Sequence, residues 1–428
     1  MAETITPTSS SQLRDAIAWA VADKVPLEII GQGSKRAYGH TVAASHVLDL
    51  SKLTGILFYQ PEELVISAHA GTPIAEIAAL LADKNQQFQF EPGDFPLLLG
   101  DGMTSHSGTL GGLVACNLSG PRRLKSGAAR DHVLGFEAIS GRAEDFKSGG
   151  RVMKNVTGFD LSKLMAGSFG TLAVMHTITL KAMPRPETTR TVIIPCDDVS
   201  FAGRAMTLAM GSENEVSGAA WVPASLCSAC IHDGAAQEIA ASAQNAVALR
   251  LEGPEQSVIW RAEALARLLG DIGPNAILPM ADSLSLWQAI ADVTPMQGNA
   301  GILWRLSVPP ASGAAVVTAL RALVGAGEVD FMLDWAGGLI WVRYVHCDIS
   351  LASHIREIAG QAGGNATLIR APEDMRRDFP IFHPVSPEIS RINHKISENF
   401  DPFGILNPGR MAPLSPGASV LADMKAGA

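Results

Sequence analysis

The sequence predicts an α+β protein built in two parts, and three observations carry that prediction. Residues 108–180 are dense in glycine and end in the alternating run Leu172 to Leu180. Pro184 and Pro186 then punctuate the chain. Beyond them strand-like and helical runs alternate, which reads as two rough β-α-β units with helices on one sheet face.

The elements follow in order. Residues 9–22 form a helix, because a serine run offers an N-cap and Leu13, Ile17 and Ala20 share a face. Leu27 to Ile30 is a short apolar strand feeding a glycine loop. His46 to Leu50 and Glu63 to Ala68 are further strands. Thr72 and Pro73 open a helix through Asp83, with threonine as cap and proline at the first helical position. Val133 to Ser148 is a hairpin turning near Gly141 and Arg142, and Leu172 to Leu180 is a strand with one buried face. In the second part, strands at 191–195, 216–222, 246–252, 302–308, 328–334 and 339–345 alternate with helices at 200–210, 255–269, 283–292, 311–325 and 350–361. A helix at 387–399 precedes Phe400-Asp-Pro-Phe-Gly-Ile-Leu-Asn-Pro-Gly409. The division is then 1–184, 185–385, 386–412 and a frayed tail at 413–428.

Bulk properties exclude several classes. The chain has 428 residues, room for two or three domains, and 47% of them are hydrophobic, enough for a large core. A net charge of −9 argues against a nucleic-acid binder driven by phosphate contacts. Cys116, Cys196, Cys227, Cys230 and Cys347 are few and scattered, so a reducing compartment fits better than a disulfide framework. The opening residues lack the basic and apolar segments of a secretory signal, and no apolar run is long enough to span a membrane. A cytoplasmic protein is expected, with any contact to the inner face of the membrane made through partners.

The glycines carry the chemistry. Gly31-Gln32-Gly33-Ser34-Lys35-Arg36 follows a strand, yet Tyr38-Gly39-His40 comes next rather than a third glycine and a helix. A Rossmann dinucleotide site needs both. A backbone nest for an anion suits this loop better, with Ser34 adding a hydroxyl and Lys35 or Arg36 a charge. Gly108, Thr109, Leu110, Gly111 and Gly112 form a second glycine loop, followed by Asn117 and Gly120. Residues 121–163 hold nine Lys or Arg against five Asp or Glu in an otherwise acidic chain. Such a surround suits a diphosphate.

Together these loops, with Arg130-Asp131-His-Val-Leu-Gly135, Lys154-Asn-Val-Thr-Gly-Phe-Asp160, Gly167-Ser-Phe-Gly-Thr-Leu172 and the 400–409 tail, resemble the FAD-binding proteins of the vanillyl-alcohol oxidase / p-cresol methylhydroxylase type. Within that family the chain is similar to the E-subunit type of bacterial glycolate oxidase, from about residue 25 to about residue 411. The resemblance implies an FAD-binding domain of two subdomains, an α+β cap domain, and a C-terminal segment returning to the flavin. It implies FAD, held non-covalently. It assigns the pyrophosphate to Gly31–Arg36, and the diphosphate and isoalloxazine to Pro92, Gly93, Asp94 and Thr109–Gly112. Asn117 and Asp131 fall near the cofactor, Gly170, Thr171 and Leu172 by adenine or ribose, and Asn407 and Arg410 close the site. Its implied partners are a second flavin subunit, an iron–sulfur subunit and a small 2-hydroxy acid. Relatives that oxidise such acids carry a cap histidine pair or a Gly-Asn/Asp-x-His motif, whereas the comparable stretch here is Gly363-Gly-Asn-Ala-Thr367.

Further candidates have plainer alternative roles. Cys227-Ser-Ala-Cys230 has metal or redox spacing but no second pair, so no metal site is expected. His176 reads as a core histidine and His40 as a loop residue. His383 is the acid–base candidate, set against a linker role. Arg305 and Arg343 are candidate carboxylate clamps, set against structural salt bridges. The expectation is a flavin subunit that relays electrons, with a self-sufficient 2-hydroxy acid dehydrogenase and a flavin-free scaffold as the alternatives.

Overall fold

A computed structural model describes residues 3–99, 108–150, 158–232, 236–298, 301–325 and 327–412. Residues 154–157 of one glycine motif and the tail at 413–428 lie outside the described residues. Strands β1 (Glu3–Ile5), β2 (Leu27–Ile30) and β3 (His46–Asp49) form a parallel sheet in the order β1-β3-β2. Helix Ser10–Asp23 makes the crossover and lays Leu13, Ile17 and Ala20 against Leu27 and Leu48. Ser9 caps it by accepting the Gln12 N–H at 3.2 Å.

A second sheet is antiparallel. Its strands are β4 (Ile56–Gln60), β5 (Val65–His69), β7 (Val133–Ser140), β8 (Asp145–Gly149) and β9 (Ala173–Lys181), in the order β4-β5-β9-β7-β8. The two-residue strands β6 (Gln86–Gln87) and β10 (Met183–Pro184) pair apart from it. Two expectations change here. The strand β9 is buried on both faces, not one. It lies at the middle of the sheet, with Met175 and Ile178 in one core and Val174 in the core beneath helix Ser10–Asp23. Thr72 does not cap the next helix, whose N-cap is Pro73. The Thr72 hydroxyl instead accepts the Gly55 N–H at 3.0 Å.

The second part holds one antiparallel sheet of eight strands. They are β11 (Thr188–Pro195), β12 (Gly218–Val222), β13 (Ala246–Gly253), β14 (Ala276–Leu278), β15 (Ile302–Ser307), β16 (Val329–Asp334), β17 (Leu339–Tyr344) and β18 (Asn365–Arg370). The order β14-β11-β13-β12-β16-β17-β15-β18 resolves into two β-α-β-β-α-β modules of like topology. They join edge to edge where Trp221 of β12 pairs with Leu333 of β16. The crossover helices Val199–Met210, Glu255–Gly270, Gly313–Arg321 and Ile349–Gln361 share one face and one core.

The other face is also covered, which corrects the one-face expectation. Strand β13 is buried on both sides, with Val247, Leu249 and Leu251 on one face and Ala246, Ala248 and Arg250 on the other, so both are removed from water. Helices Ala224–Cys230 and Met280–Ala291 cover part of this face, and Tyr38, Phe95, Leu98, Leu99 and Leu118 of the first part cover more. Cys227 and Cys230 belong to this core as packed thiols. Four buried charges also cross the junction. Arg122 reaches Glu91 at 3.2 Å and Glu252 at 2.6 Å, and Arg250 reaches Glu91 at 2.8 Å and Glu252 at 3.3 Å. After helix Pro387–Phe400 the chain returns to the first sheet, where Leu406 bridges Leu27 in parallel.

Candidate functional site

The strand β2 ends at Ile30, and the Gly31 loop leaves it toward the second glycine loop. The two loops interlock. A Cβ on Gly31 would stand 2.8 Å from Thr109 Cγ2, so only glycine lets the threonine pass. Gln32 Oε1 accepts the Gly108 N–H at 2.6 Å and ties the loops again. Thr109 caps the short helix Leu110–Ala115 by accepting the Gly112 N–H at 3.3 Å.

Between the loops runs a narrow groove. Its polar end is lined by Gly31–Arg36, Tyr38, Cys116 and Arg410. Its apolar end is lined by Leu50, Ala70, Gly170, Ala173, Val174 and Met175, with Gly112 and Asn407 between. Gly112 meets only Thr109 Oγ1, at 3.5 Å, so its Cα faces open groove. At the polar end Lys35 Nζ donates to the buried Ser34 hydroxyl at 3.1 Å. Burial pulls the Lys35 pKa below its ordinary value, against the charges of Cys116 and Asp94. Burial pushes the Cys116 thiol up to about 11, against Lys35 and Arg410. Lys35 also borders a cavity of about 550 Å³ at the junction of the two parts, lined among others by Pro92–Asp94, Gly108, Leu118, Arg122 and Trp287.

The donor set fits an elongated ligand with an anionic group at one end of this groove and an apolar body along the other. Loop N–H groups, a hydroxyl and an ammonium gather at one end, and aliphatic walls stand at the other. Most of the anticipated residues do converge here: Gly31, Gln32, Gly33, Ser34, Lys35, Arg36, Thr109, Gly112, Asn407 and Arg410 line the polar end, and Gly111 and Gly170 the apolar end. Asn407 staples the returning segment, accepting the Ile29 N–H at 2.7 Å and donating to the Phe169 carbonyl at 2.8 Å. Arg410 donates to the Arg36 carbonyl at 2.7 Å and pairs with Glu28 at 3.2 Å.

Several anticipated residues act one layer back. Leu110 and Leu172 point into the apolar core. Asp131 accepts the Ala128 N–H at 2.9 Å, and Asn117 accepts the Arg130 N–H at 3.0 Å, so both shape the loop beside the groove. The Thr171 hydroxyl donates to the Ser168 carbonyl at 2.7 Å. Gly93 lies against the Ala291 carbonyl, and the Asp94 N–H donates to Asp292 at 2.7 Å, which pins that loop to the second part.

The three candidates for chemistry separate. His383 lies outside the groove. Its Nδ1 accepts the Ala366 N–H at 3.4 Å, and its ring faces Gly360 on the crossover-helix side. Burial, with Arg356, lowers its pKa. Arg343 pairs with Asp330 in a separate cavity. Arg305 lies over the rings of Trp335 and Trp341, on the sheet face that packs against the first part, a face that Arg343 shares farther along β17. Tyr38, Cys116 and Phe169, which the glycine motifs do not single out, also line the polar end. The signal for Tyr38 was its place directly after the loop. His40, next to it, is locked: Nε2 accepts the Ile381 N–H at 3.1 Å, which leaves Nδ1 to donate to the Arg376 carbonyl at 3.3 Å.

Comparisons with known proteins agree with this geometry. Residues 2–145 match a family described as FAD binding domain. The chain is 34% identical to glycolate oxidase subunit GlcE of Escherichia coli (strain K12), over 94% of this chain and 97% of that one. It is 24% identical to glycolate oxidase subunit GlcD of Bacillus subtilis (strain 168), over 95% of this chain and 88% of that one. Among solved structures, p-cresol methylhydroxylase with substrate bound aligns with a TM-score of 0.70 at 13% identity, covering 96% of this chain and 88% of that one. That last likeness concerns the fold.

Proposed function

Because the chain belongs to the glycolate oxidase E-subunit family of FAD-binding proteins, we propose that its groove holds one non-covalent FAD in an enzyme oxidising glycolate or a related 2-hydroxy acid. The observation that carries the reading is the interlock of the two glycine loops around a groove with cationic and aliphatic ends. FAD, when bound, supplies the hydride acceptor, and the protein supplies orientation and electrostatics. The loop N–H groups, Ser34 and Lys35 hold the pyrophosphate. Arg410 supports that loop from behind. Both His40 nitrogens are committed to backbone, which favours a non-covalent cofactor.

We infer further that this subunit relays electrons while a second flavin subunit removes them from the acid. The position of His383 away from the groove and the pairing of Arg343 favour this over a self-sufficient dehydrogenase. An iron–sulfur subunit is the proposed next acceptor. Among the described residues no helix is long and apolar enough to cross a membrane. The proposed setting is the cytoplasm, with the inner face of the membrane reached through partners.

The test is spectroscopic. Purified protein is expected to be yellow, with one flavin per chain released into the supernatant by acid precipitation. Colourless fresh protein overturns the cofactor assignment, and flavin retained in the pellet overturns the non-covalent one. Stopped-flow mixing with glycolate is expected to leave the isolated chain's flavin oxidised and to bleach flavin in the co-expressed complex. Rapid bleaching of the isolated chain installs the dehydrogenase instead.

A further inference from the structure

We propose that helix Pro387–Phe400 pairs antiparallel with the same helix of a second copy of this chain, across a two-fold axis through its N-terminal half. The inference does not depend on the flavin reading.

The first argument is an apolar stripe that the fold covers at one end only. Val385 stands just before the Ser386 cap, and Ile389, Ile392, Ile396 and Phe400 continue its line at helical spacing. The C-terminal end of the stripe is seated, because Ile396 and Phe400 pack against the core of the first part, where Phe400 meets Phe146. The N-terminal end is not: Val385 is 54% exposed, Ile389 46% and Ile392 54%. The helix has no buried residue, whereas every other helix of nine or more residues buries at least two. A helix of 14 residues is marginal in water and takes its stability from packing an apolar face.

The second argument is symmetry. Val385, Ile389, Ile392 and Ile396 are separated by four, three and four positions, so the stripe reads the same in both directions. Two such helices laid antiparallel set Val385 against Ile396 and Ile389 against Ile392, and the axis repeats each contact. A two-fold contact requires that palindrome, and a groove on an unrelated partner does not. The flanking charges have the same property. Glu388 and Lys395 each precede an isoleucine of the stripe by one residue, which puts them one heptad apart on one flank. In the antiparallel pair, Glu388 of each copy lies beside Lys395 of the other. Among the described residues Lys395 has no acid within ion-pair distance, and Glu388 has Arg391 of its own turn at 3.7 Å. The other flank carries the uncharged Asn393, so no like charges meet there.

Four apolar layers make a contact smaller than those of permanent dimers, so the association is concentration-dependent. The helix runs directly into the segment that carries Asn407 and Arg410. The paired helices therefore connect the closing segments of two grooves.

Sedimentation velocity of the full chain over a concentration series is the measurement. Wild type is expected to pass from monomer to dimer with a dissociation constant of about 10–100 μM, in keeping with a small transient interface. Ile392→Asp is expected to weaken the dimer by about tenfold or more, since the axis makes the change count twice. Trp260→Ser, at an exposed indole on helix Glu255–Gly270, is expected to leave it unchanged. Glu388→Lys and Lys395→Glu are each expected to weaken self-association by about fivefold, because like charges then face each other twice. An equimolar mixture of those two variants is expected to associate as tightly as wild type, since each supplies the charges that the other needs. Wild type that stays monomeric at about ten times the expected dissociation constant overturns the inference, and that result needs no variant to fold. A dimer that Ile392→Asp leaves intact overturns it, as does a mixture that associates no better than its components. A monomer whose residues 387–400 gain hydrogen-exchange protection only on co-expression with a second flavin subunit assigns the stripe to that subunit and also overturns it.

Discussion

Gly31 and Gly112 look alike in sequence and do different work. Gly31 lacks a Cβ because Thr109 occupies that space, whereas Gly112 faces a groove. Gly112→Val is therefore expected to leave the melting temperature of flavin-free protein within about 2 °C of wild type, the range of a surface change. It should nevertheless abolish flavin retention, read as the ratio of 450 to 280 nm absorbance. Gly31→Ala is expected to lower both, because its methyl group must displace Thr109. A Gly112→Val protein that keeps full flavin would move the ligand out of the groove. Asn407 is a third case, with φ of 45° and two hydrogen bonds that join the returning segment to β2 and to the Phe169 turn. Asn407→Ala removes both bonds while keeping a costly backbone. It is expected to destabilise the protein by about 1–3 kcal/mol, measured by urea unfolding. Loss of less than a few tenths would make the staple incidental.

At the level of elements, the segment after helix Pro387–Phe400 closes the groove by joining β2 from the far end of the chain. A chain ending at Phe400 is expected to keep its helix and strand content by circular dichroism yet to purify without flavin. A yellow truncated protein would show that the groove closes without it. The sequence made most elements legible because their periodicity is strong. Helices at 200–210 and 255–269 fall within a residue of those observed. The strands β1, β4, β14 and β18, and the two-residue β6 and β10, were not legible: β4 is a part-exposed edge strand, β1 and β14 have three residues each, and β18 lies at the sheet edge with Asn365 and Thr367 among its apolar residues. The glycine loops were legible as a candidate groove because clustered glycines mark close approach of backbone, here of Gly31 to Thr109 and of Gly111 to Ala70. The roles of Asn117 and Asp131 were not, since a side chain that caps a loop and one that touches a ligand look alike until coordinates exist. The placement of His383 was not legible for a related reason. Its neighbour Phe382 turns toward Tyr38 and Phe169, which sends the histidine the opposite way.

Across the whole molecule, the junction depends on charges that acid and base affect oppositely. Burial alone would raise Glu252, but Arg250 and Arg122 hold it at about 2, below its ordinary 4.5. Its stabilisation is complete above pH 4.5 and is lost as pH falls toward 2. Asp334 behaves in reverse. Burial raises it to about 7 from 3.8, so the native state binds its proton more tightly and stability falls as pH rises through that window. Asp334→Asn is therefore expected to raise the melting temperature at pH 8 more than at pH 5, and an equal effect at both would refute the burial argument. Glu252→Gln leaves two buried guanidinium groups short of charge and is expected to cost about 3–5 kcal/mol at pH 7, read from denaturant midpoints. The seam between the two sheet modules has a different consequence. A sheet joined at its middle by the Trp221–Leu333 pairing has fewer backbone bonds to break there than along β11 and β13, whose ladder runs the full length of both. Deuterium should enter amides beside the seam first, so the eight strands exchange as two protected blocks with a leak between them.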